Sequence, residues 1–253
     1  MTGKYVQNGY SRKIYRSRRK KRRMRLIGLT FILILVCILT VGFVWMTVAE
    51  TEEPSHTGYE AENYSPQVSG TQDMPWYLTL INKENHIPGD YKPELVELKG
   101  GECVDKRIYD PLTEMLEAAK EGNLDQLPEV VSGYRTSDKQ QKIYDEKIEK
   151  YKKEGYSEDE ARELAKQWVA VPGYSEHQLG IAVDINGATY DVYSWLQENS
   201  YRYGFIFRYP GDKTEMTGIA EEVWHYRYVG EQAAAFIKEN QLCLEEFIAL
   251  AEQ

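Results

Sequence analysis

The longest uninterrupted apolar stretch of the chain lies near its N-terminus, in "LIGLTFILILVCILTVGFVWMTV", residues 26–48. It contains no charged residue, and a helix of this length, at about 1.5 Å per residue, crosses the roughly 30 Å hydrocarbon layer of a bilayer. The apolar core of a secretory signal is usually only about 7–15 residues long. The pattern therefore predicts a retained transmembrane helix, and the Thr47-Val48-Ala49 step leaves cleavage as the alternative.

Apolar periodicity ends after this stretch and returns at Pro75. Residues 49–74 are acidic and polar, with Pro, Gly and Ser, which is typical of a flexible, solvated linker. Residues 75–253 are rich in aromatic and aliphatic side chains and are long enough to form one domain with its own core.

Helical periodicity recurs within this domain. Apolar residues in "IYDPLTEMLEAAKEGN" are spaced as one helical stripe. Capping-box pairs, Ser137 with Gln140 and Ser157 with Glu160, predict where two further helices begin. The remaining helices are predicted in "TYDVYSWLQENSYRYG", "GEQAAAFIKEN" and "CLEEFIALAEQ".

Five short segments have the length and composition of strands. They are "WYLTLIN", "LPEVVSGYRT", "GIAVDI", "GFIFRYP" and "VWHYRYVG". Because the helices gather beside a short, mainly antiparallel sheet and do not alternate with parallel strands, the predicted fold class is α+β. We expect a single domain preceded by one transmembrane helix.

Charge divides the chain in the same way. The formal net charge is −9, but no acidic residue precedes Glu50, and 11 of the 31 Lys and Arg residues lie within residues 1–25. These residues are predicted to form a basic cytoplasmic segment under the positive-inside rule, which places the domain on the outer side of the cell membrane. The other 20 basic residues face all 40 acidic ones, so nucleic acid is excluded as a partner.

The cysteines do not indicate a thiolate metal site, since none belongs to a C-x-x-C pair. Cys37 lies in the apolar stretch. Cys103 and Cys243 lie in the exported domain, where they could form a disulfide or remain as two buried thiols.

Two segments contain side chains that suit a metal site. His177, Asp184 and His225 are three N and O ligands of the kind that a hydrolytic zinc site uses, with a fourth position left for water. Alternation in "GIAVDI" places small residues on the face that carries Asp184, which leaves room for a metal and a substrate. Spacing alone is weak support, because H-x6-D pairs arise by chance and Glu222 could be a solvated acid beside Glu221.

Three motifs in order carry a resemblance to a known family. "SEHQLGIAVD" fits S-x-H-x-x-G-x-A-x-D, "EVWHYRYVG" fits E-x-W-H-x-R-Y-V-G, and "SGYRT" lies upstream of both. Together with "LTLINKENHIPGDYKPELVEL" they resemble the VanY-type zinc D-alanyl-D-alanine carboxypeptidases, including the related L,D-carboxypeptidases of cell-wall maturation. The likeness extends roughly from Trp76 to Phe247. Where the family often has a second Trp after the metal histidine this chain has Tyr226, which we expect to alter packing more than chemistry.

The resemblance implies a role for each residue of these motifs. One zinc ion per chain would be held by His177, Asp184 and His225. Glu222 would be the general base that takes a proton from zinc-activated water and passes it to the leaving amine. Arg135 of "SGYRT" would stabilise the oxyanion of the tetrahedral intermediate, although a surface ion pair is the alternative for it.

Substrate-binding roles follow from the same resemblance. Ser175 and Gln140 would grip the terminal carboxylate or an amide of the peptide, and Tyr209 would form part of the pocket wall. Each has a purely structural alternative: a turn cap for Ser175, the capping-box residue for Gln140, and a core position for Tyr209. The helical insert between "SGYRT" and "SEHQLG" is expected to form one wall of the pocket.

The implied function is that of a membrane-anchored enzyme facing the cell wall, which removes the terminal D-alanine from peptidoglycan stem peptides. An L,D-carboxypeptidase acting on tetrapeptide stems and an endopeptidase cutting within the stem are alternatives. A zinc-containing wall-binding module without turnover is a third, but the presence of both Glu222 and Arg135 favours an enzyme. The motifs carry no signal for an oligomeric state.

Overall fold

The computed structural model describes residues 74–121, 128–186 and 190–252. These residues form an α+β domain in which short antiparallel sheets are flanked by helices, as the sequence predicts. The predicted basic segment, the apolar span and nearly all of the linker lie outside the described residues. Among the residues that are described, no helix has the length and apolar character needed to span a bilayer.

Seven α-helices and six strands make up this described part of the chain. The helices are α1 (Tyr109–Glu121), α2 (Ser137–Lys153), α3 (Glu158–Lys166), α4 (Tyr190–Asn199), α5 (Thr214–Thr217), α6 (Glu231–Glu239) and α7 (Leu244–Ala251). The strands are β1 (Leu95–Glu97), β2 (Cys103–Asp105), β3 (Glu129–Ser132), β4 (Ala182–Asn186), β5 (Phe205–Phe207) and β6 (His225–Tyr228). Short 3-10 helices, among them Trp76–Leu78 and Glu176–Leu179, join several of these elements.

The main sheet has the strand order β3-β4-β6-β5, with every neighbouring pair antiparallel. Its register places Asp184 of β4 opposite both Ser132 of β3 and His225 of β6. Residues directly opposite in antiparallel strands have Cβ atoms about 4.5–5.5 Å apart on one face of the sheet. Two of the predicted metal ligands are therefore neighbours because of the strand pairing itself.

The opposite face of the sheet builds the principal core. Ile181, Val183 and Ile185 are fully buried there, together with Tyr226, and pack with apolar residues of α1. This confirms the alternation expected for "GIAVDI". Fully burying one such aliphatic side chain stabilises a fold by about 1.5–3 kcal/mol, so the core fixes which face of β4 is left for polar groups.

Two smaller clusters complete the packing. The closing helices α6 and α7 bury Ile237, Leu244 and Phe247 against Leu78 and neighbouring apolar residues. The hairpin of α2 and α3 has a separate cluster, formed by Tyr144, Ile148, Ala161 and Ala165. The hairpin is thus held together by its own contacts.

The two predicted capping boxes have different outcomes. Ser157 and Glu160 form the reciprocal box at the start of α3, as expected. At the start of α2 the prediction is wrong by one residue, because Thr136 is the N-cap and accepts from the backbone N–H of Lys139. The side chain of Gln140 is used elsewhere, since its Nε2 donates to the carbonyl oxygen of Ala170 at 2.6 Å.

The prediction of a strand in "WYLTLIN" is wrong. Trp76–Leu78 is a 3-10 helix, and no described strand pairs with it. The carbonyl oxygens of Tyr77 and Thr79 instead accept from Nη2 of Arg227, at 3.0 and 2.9 Å. A buried guanidinium therefore takes the place of a partner strand.

The two cysteines of the domain are free thiols. Cys103 lies on β2 and is partly buried, whereas Cys243 is buried at the start of α7. Burial raises the pKa of the Cys243 thiol to about 11. Of the two alternatives left by the sequence, the structure has the unpaired one.

Gly133 is required by a close approach of two segments. A Cβ atom built at this position would lie 2.2 Å from the carbonyl oxygen of Cys103, a backbone atom that cannot move away freely. We expect Gly133→Ala to lower the free energy of unfolding by about 1–3 kcal/mol, the usual cost of forced overpacking. Urea unfolding followed by circular dichroism measures this change.

Gly89→Ala is the matched control, because no atom lies within 4 Å of a Cβ built there. Equal stabilities for the two variants would show that the segment around Gly133 can shift without cost.

Candidate active site

The three predicted ligands come from three different elements. His177 lies in the 3-10 helix Glu176–Leu179, Asp184 in β4, and His225 at the start of β6. Gly180 ends the 3-10 helix with φ = 75°, a left-handed conformation that glycine adopts without strain. This turn sends the chain directly into β4 and brings His177 over the row formed by Asp184 and His225.

The ligand atoms converge on one point. Oδ1 of Asp184 lies 3.3 Å from Nε2 of His177 and 3.2 Å from Nδ1 of His225. One ligand atom from each residue lies within 4.8 Å of the other two, and Oδ1 of Asp184 is buried without a well-formed hydrogen bond. Two imidazole nitrogens and one carboxylate oxygen, arranged in this way, fit a zinc ion with an open position.

The tautomer of His177 is fixed by the backbone. Its Nδ1 lies 2.8 Å from the carbonyl oxygen of Gly133, so Nδ1–H donates there and the lone pair of Nε2 faces Asp184. Burial lowers the pKa of His177 below its ordinary value, which favours the neutral form that binds a metal. Gly133 therefore serves the site as well as the fold.

Glu176 lies beside the other nitrogen of His225. Nε2 of His225 is 3.5 Å from Oε2 of Glu176, close for two buried atoms that have no well-formed hydrogen bond, and Nδ1 faces Asp184. Burial lowers the pKa of His225, but Asp184 and Glu176 outweigh burial and raise it to about 9. The centre therefore favours a positive charge between these groups, and a bound metal ion supplies one.

Glu176 belongs to a buried network of charges. Its Oε1 lies 2.8 Å from Nε of Arg208 and 2.9 Å from Nη1 of Arg227. Arg208 also makes a bidentate pair with Glu245 of α7, at 2.9 and 2.7 Å. Burial raises the pKa of Glu176, but the two arginines hold it well below its ordinary value, so the carboxylate is ionised. Sequence analysis missed this network. A local signal for it was Arg227, a charged residue between Tyr226 and Tyr228 in a predicted strand.

Arg135 contacts the second oxygen of the same metal-ligand carboxylate. Its Nη2 donates to Oδ2 of Asp184, its Nε donates to Oγ of Ser132 at 2.8 Å, and its Nη1 donates to Oε1 of Gln140 at 3.4 Å. These contacts fix the carboxylate rotamer, so that Oδ1 is the oxygen left for a metal. Gln140 in turn supports the guanidinium from α2.

Glu222 lies beside the same centre. Its Oε2 is 3.7 Å from Nδ1 of His225, and its side chain is buried. Burial raises the pKa of Glu222 to about 7, and the charge of Asp184 acts in the same direction. A carboxylate poised near neutrality, close to a metal centre, has the property required of a general base.

One cavity of about 300 Å³ brings the predicted residues together. All eight residues proposed from the sequence line it: Arg135, Gln140, Ser175, His177, Asp184, Tyr209, Glu222 and His225. The α2–α3 hairpin and the turn that follows it form one wall, through Ile143 and Lys147 of α2 and Trp168 after α3. The expectation that this insert borders the pocket is confirmed, whereas the chemical role of each residue stays a prediction.

Comparison with known proteins identifies relatives of this chain. Residues 101–231 match the family model VanY, described as D-alanyl-D-alanine carboxypeptidase. A D-alanyl-D-alanine carboxypeptidase of Enterococcus faecalis is 47% identical over 231 residues, which cover 84% of this chain and 85% of the relative.

Two solved structures are similar in both sequence and fold. The first is VanYB in complex with D-alanine-D-alanine, with a TM-score of 0.68 and 52% identity over 69% of this chain and 98% of that one. The second is a mutant of the D,D-pentapeptidase VanY from the VanB-type resistance cassette, in complex with Zn(II). Its TM-score is 0.67, with 52% identity over 69% of this chain and 99% of that one.

The contact between Glu176 and His225 predicts an effect on metal binding. In Glu176→Gln, the amide oxygen is expected to face the two arginines, so the NH₂ group faces Nε2 of His225 and donates to it. The imidazole proton then moves to Nδ1, the nitrogen intended for the metal. We expect zinc affinity to fall about 10–100-fold, the usual effect of losing such a supporting contact, as measured by competition with a chelating dye.

Glu245→Gln is the matched control, because it also removes one carboxylate partner of Arg208 but does not contact His225. Both variants are expected to melt below the parent temperature, since each leaves a buried cation less well paired. Equal zinc affinities for the two folded variants would contradict the role of Glu176.

Proposed function

We propose that this chain, which belongs to the VanY family of D-alanyl-D-alanine carboxypeptidases, is a zinc D,D-carboxypeptidase that removes the terminal D-alanine from peptidoglycan stem peptides. The observation that carries the proposal is the convergence of His177, Asp184 and His225 beside a buried Glu222 in one cavity. The 47% identical carboxypeptidase of E. faecalis supports the reaction. The 52% identical VanYB, which is solved with D-alanine-D-alanine, supports the substrate.

Zinc is the metal that we assign to the centre. The donor set suits it, and the 52% identical VanY mutant is solved with Zn(II). Bound zinc supplies a Lewis acid for the scissile carbonyl and lowers the pKa of a water ligand to about 7. The chain's own residues then orient the peptide and move the protons.

Glu222 is the proposed general base. It accepts a proton from the attacking water and gives that proton to the nitrogen of the departing D-alanine, so one carboxylate serves both halves of the reaction. Burial raises the pKa of this carboxyl above its ordinary value, toward the neutral pH at which the group must take up and release a proton. Its position beside Nδ1 of His225 places it next to the metal centre.

Arg135 is the proposed oxyanion stabiliser. Among the described residues that line the cavity it is the one arginine, and its three contacts hold the guanidinium in place before substrate arrives. Donors that are fixed in advance are effective because no reorganisation is needed when charge develops. Loss of one such donor typically costs about 10²–10³ in rate.

The predicted substrate-binding residues differ in whether their polar atoms already make hydrogen bonds within the described part of the protein. Both ends of the Gln140 amide are engaged, one with Arg135 and one with Ala170, so we assign Gln140 to positioning the arginine. Ser175 is buried on the cavity wall, and the described residues offer its hydroxyl no hydrogen-bond partner. We propose that Ser175 binds the peptide and that Tyr209, whose ring centroid is 4.8 Å from that of His225, forms the pocket wall.

We also propose that residues 26–48 anchor the enzyme in the cell membrane, with residues 1–25 in the cytoplasm and residues 49–74 as a linker to the extracytoplasmic domain. The uncharged apolar run and its basic flank support this topology. A protease added to intact protoplasts is expected to remove the domain and to spare the basic segment. Cleavage of the basic segment in intact protoplasts would reverse the orientation.

Substrate specificity has a direct test. The purified full-length chain is incubated with pentapeptide and tetrapeptide stems, with and without a chelator, and the products are measured by mass spectrometry. We expect loss of one alanine residue from the pentapeptide, abolished by chelation and restored by zinc. Loss from the tetrapeptide alone would identify an L,D-carboxypeptidase, and larger fragments would identify an endopeptidase. Binding without any product in the zinc-loaded protein would favour the wall-binding module.

The role of Glu222 is tested by Glu222→Gln. The amide cannot accept the proton, so we expect turnover of the pentapeptide to fall at least about 10²-fold. Zinc content is expected to stay at the parent level, because the three ligands are unchanged. The measurements are steady-state release of D-alanine and metal content by atomic emission.

Glu221→Gln is the matched control, since Glu221 is the adjacent acid in sequence but is exposed. Turnover near the parent rate in Glu222→Gln would assign the base to another group.

A further inference from the structure

The cavity has an outer rim, formed by Lys147 of α2 and by Trp168 just after α3, that the proposed chemistry does not use. Gln140, Ile143 and Lys147 are spaced three and four residues apart, so they share one face of α2, and all three line the cavity. At about 1.5 Å rise per residue, Lys147 lies roughly 10 Å farther along the helix than Gln140. Gln140 contacts Arg135 at the metal centre, whereas Lys147 lines the same groove two helical turns away.

Lys147 differs from most lysines of the helix, because the described residues offer it no acidic partner within ion-pair distance. Four of the five other lysines of α2 lie within 4.0 Å of a carboxylate: Lys139, Lys142, Lys150 and Lys152. The fifth, Lys153, is the last residue of the helix and does not line the groove. Among the described residues Lys147 makes no hydrogen bond or ion pair. Its Nζ instead lies 4.8 Å from the ring centroid of Trp168, in a cation–π contact.

The surroundings of this ammonium group suit an incoming anion. Burial lowers the pKa of Lys147, and Lys150 adds to this effect, while Glu222 and Glu154 act in the opposite direction. An ammonium group has three donors, and a ring face satisfies at most part of this capacity. A charge-assisted hydrogen bond to a carboxylate is roughly twice as strong as a neutral one, and partial burial protects it from water.

Trp168 adds an apolar surface beside the charge. Trp168 is 37% exposed and lines the same cavity as the catalytic groups. Aromatic side chains commonly line ligand-binding pockets. A cation and a ring side by side can receive a carboxylate together with the carbon atoms that carry it.

We propose that Lys147 and Trp168 form a carboxylate-binding subsite at the outer rim of the groove, which selects peptides by an anionic group. The inference rests on the proposed function, because such a peptide has two sources of this group. One is its terminal carboxylate, and the other is a free carboxylate on a residue upstream of the terminal D-alanine pair. The chemistry is the same for both, and the substrates of the test separate them.

The test compares Lys147→Met with Lys142→Met. Both substitutions remove one positive charge from α2, but Lys142 is exposed, pairs with Glu146 and lies outside the groove. Two acyl-peptides ending in D-Ala-D-Ala are used with the full-length zinc-loaded chain. They differ only in the preceding residue, which is neutral in one and carries a carboxylate in the other.

We expect Lys147→Met to raise KM about tenfold with little change in kcat, which is the low end for a hydrogen bond to a charged group. An effect on both peptides identifies the terminal carboxylate, and an effect on the acidic peptide alone identifies the upstream one. Lys147→Arg is expected to recover most of the affinity. Trp168→Leu is expected to weaken binding of the same peptides, since the ammonium loses its ring contact.

Two results would overturn the subsite. Parent-like KM for both peptides in Lys147→Met would remove Lys147 from substrate binding. A displaced pH profile of kcat with unchanged KM would show that Lys147 acts on Glu222 through its charge. Calorimetric titration of the two peptides into Glu222→Gln, with and without Lys147→Met, measures binding without turnover. Absence of D-alanine release by both the parent and Lys142→Met would overturn the proposed function. The calorimetric comparison still tests the subsite in that case, because it measures binding alone.

Discussion

The ionised carboxylate of Glu176 is the group on which the rest of the centre depends, because the buried charges of the fold meet a metal ligand there. Its Oε1 is held by Arg208 and Arg227, and its Oε2 faces Nε2 of His225. A buried charge is costly unless it is paired, so the two arginines are what allow this carboxylate to stay ionised. The arginines are tied in turn to α7, through Glu245, and to the segment before β1. Contacts from both ends of the described chain therefore help to hold the carboxylate that faces Nε2 of His225.

Strand register is the second constraint. Ser132, Asp184 and His225 form one row across β3, β4 and β6, and a slip of one residue would turn Asp184 into the core. The register is held by the opposite face, where Val183 and Tyr226 are paired and fully buried. The apolar packing that stabilises the domain is thus the same packing that aligns the ligands. Folding of the sheet and formation of the metal site therefore depend on the same strand register, although the ligands make up a small part of the sheet.

Local sequence patterns were sufficient to predict an element with its own apolar alternation, as in β4, and a ligand that lies in a motif, as with His177. They failed where contact with a distant residue determines the backbone conformation. The segment around Tyr77 has the composition of a strand, but its carbonyl oxygen accepts from Arg227, 150 residues away. The role of Glu176 was hidden for the same reason, since an acid in a short 3-10 turn resembles a solvated residue until the fold brings Arg208 and Arg227 to it.

The two ends of the cavity differ in how many of their polar groups already have partners. This difference distinguishes the residues proposed for the reaction from those proposed for selecting the peptide. At the inner end, all three donor nitrogens of Arg135 are engaged by strand and helix side chains, so the site is rigid before a peptide binds. At the rim, the partner that the described residues offer Lys147 is a ring face, so its ammonium donors are open to the proposed ligand group. The hairpin that carries Lys147 is stabilised by its own cluster, which includes Tyr144 and Ile148. Its surface residues can therefore change without moving the strands that hold the metal, and peptide preference can vary within a fixed reaction.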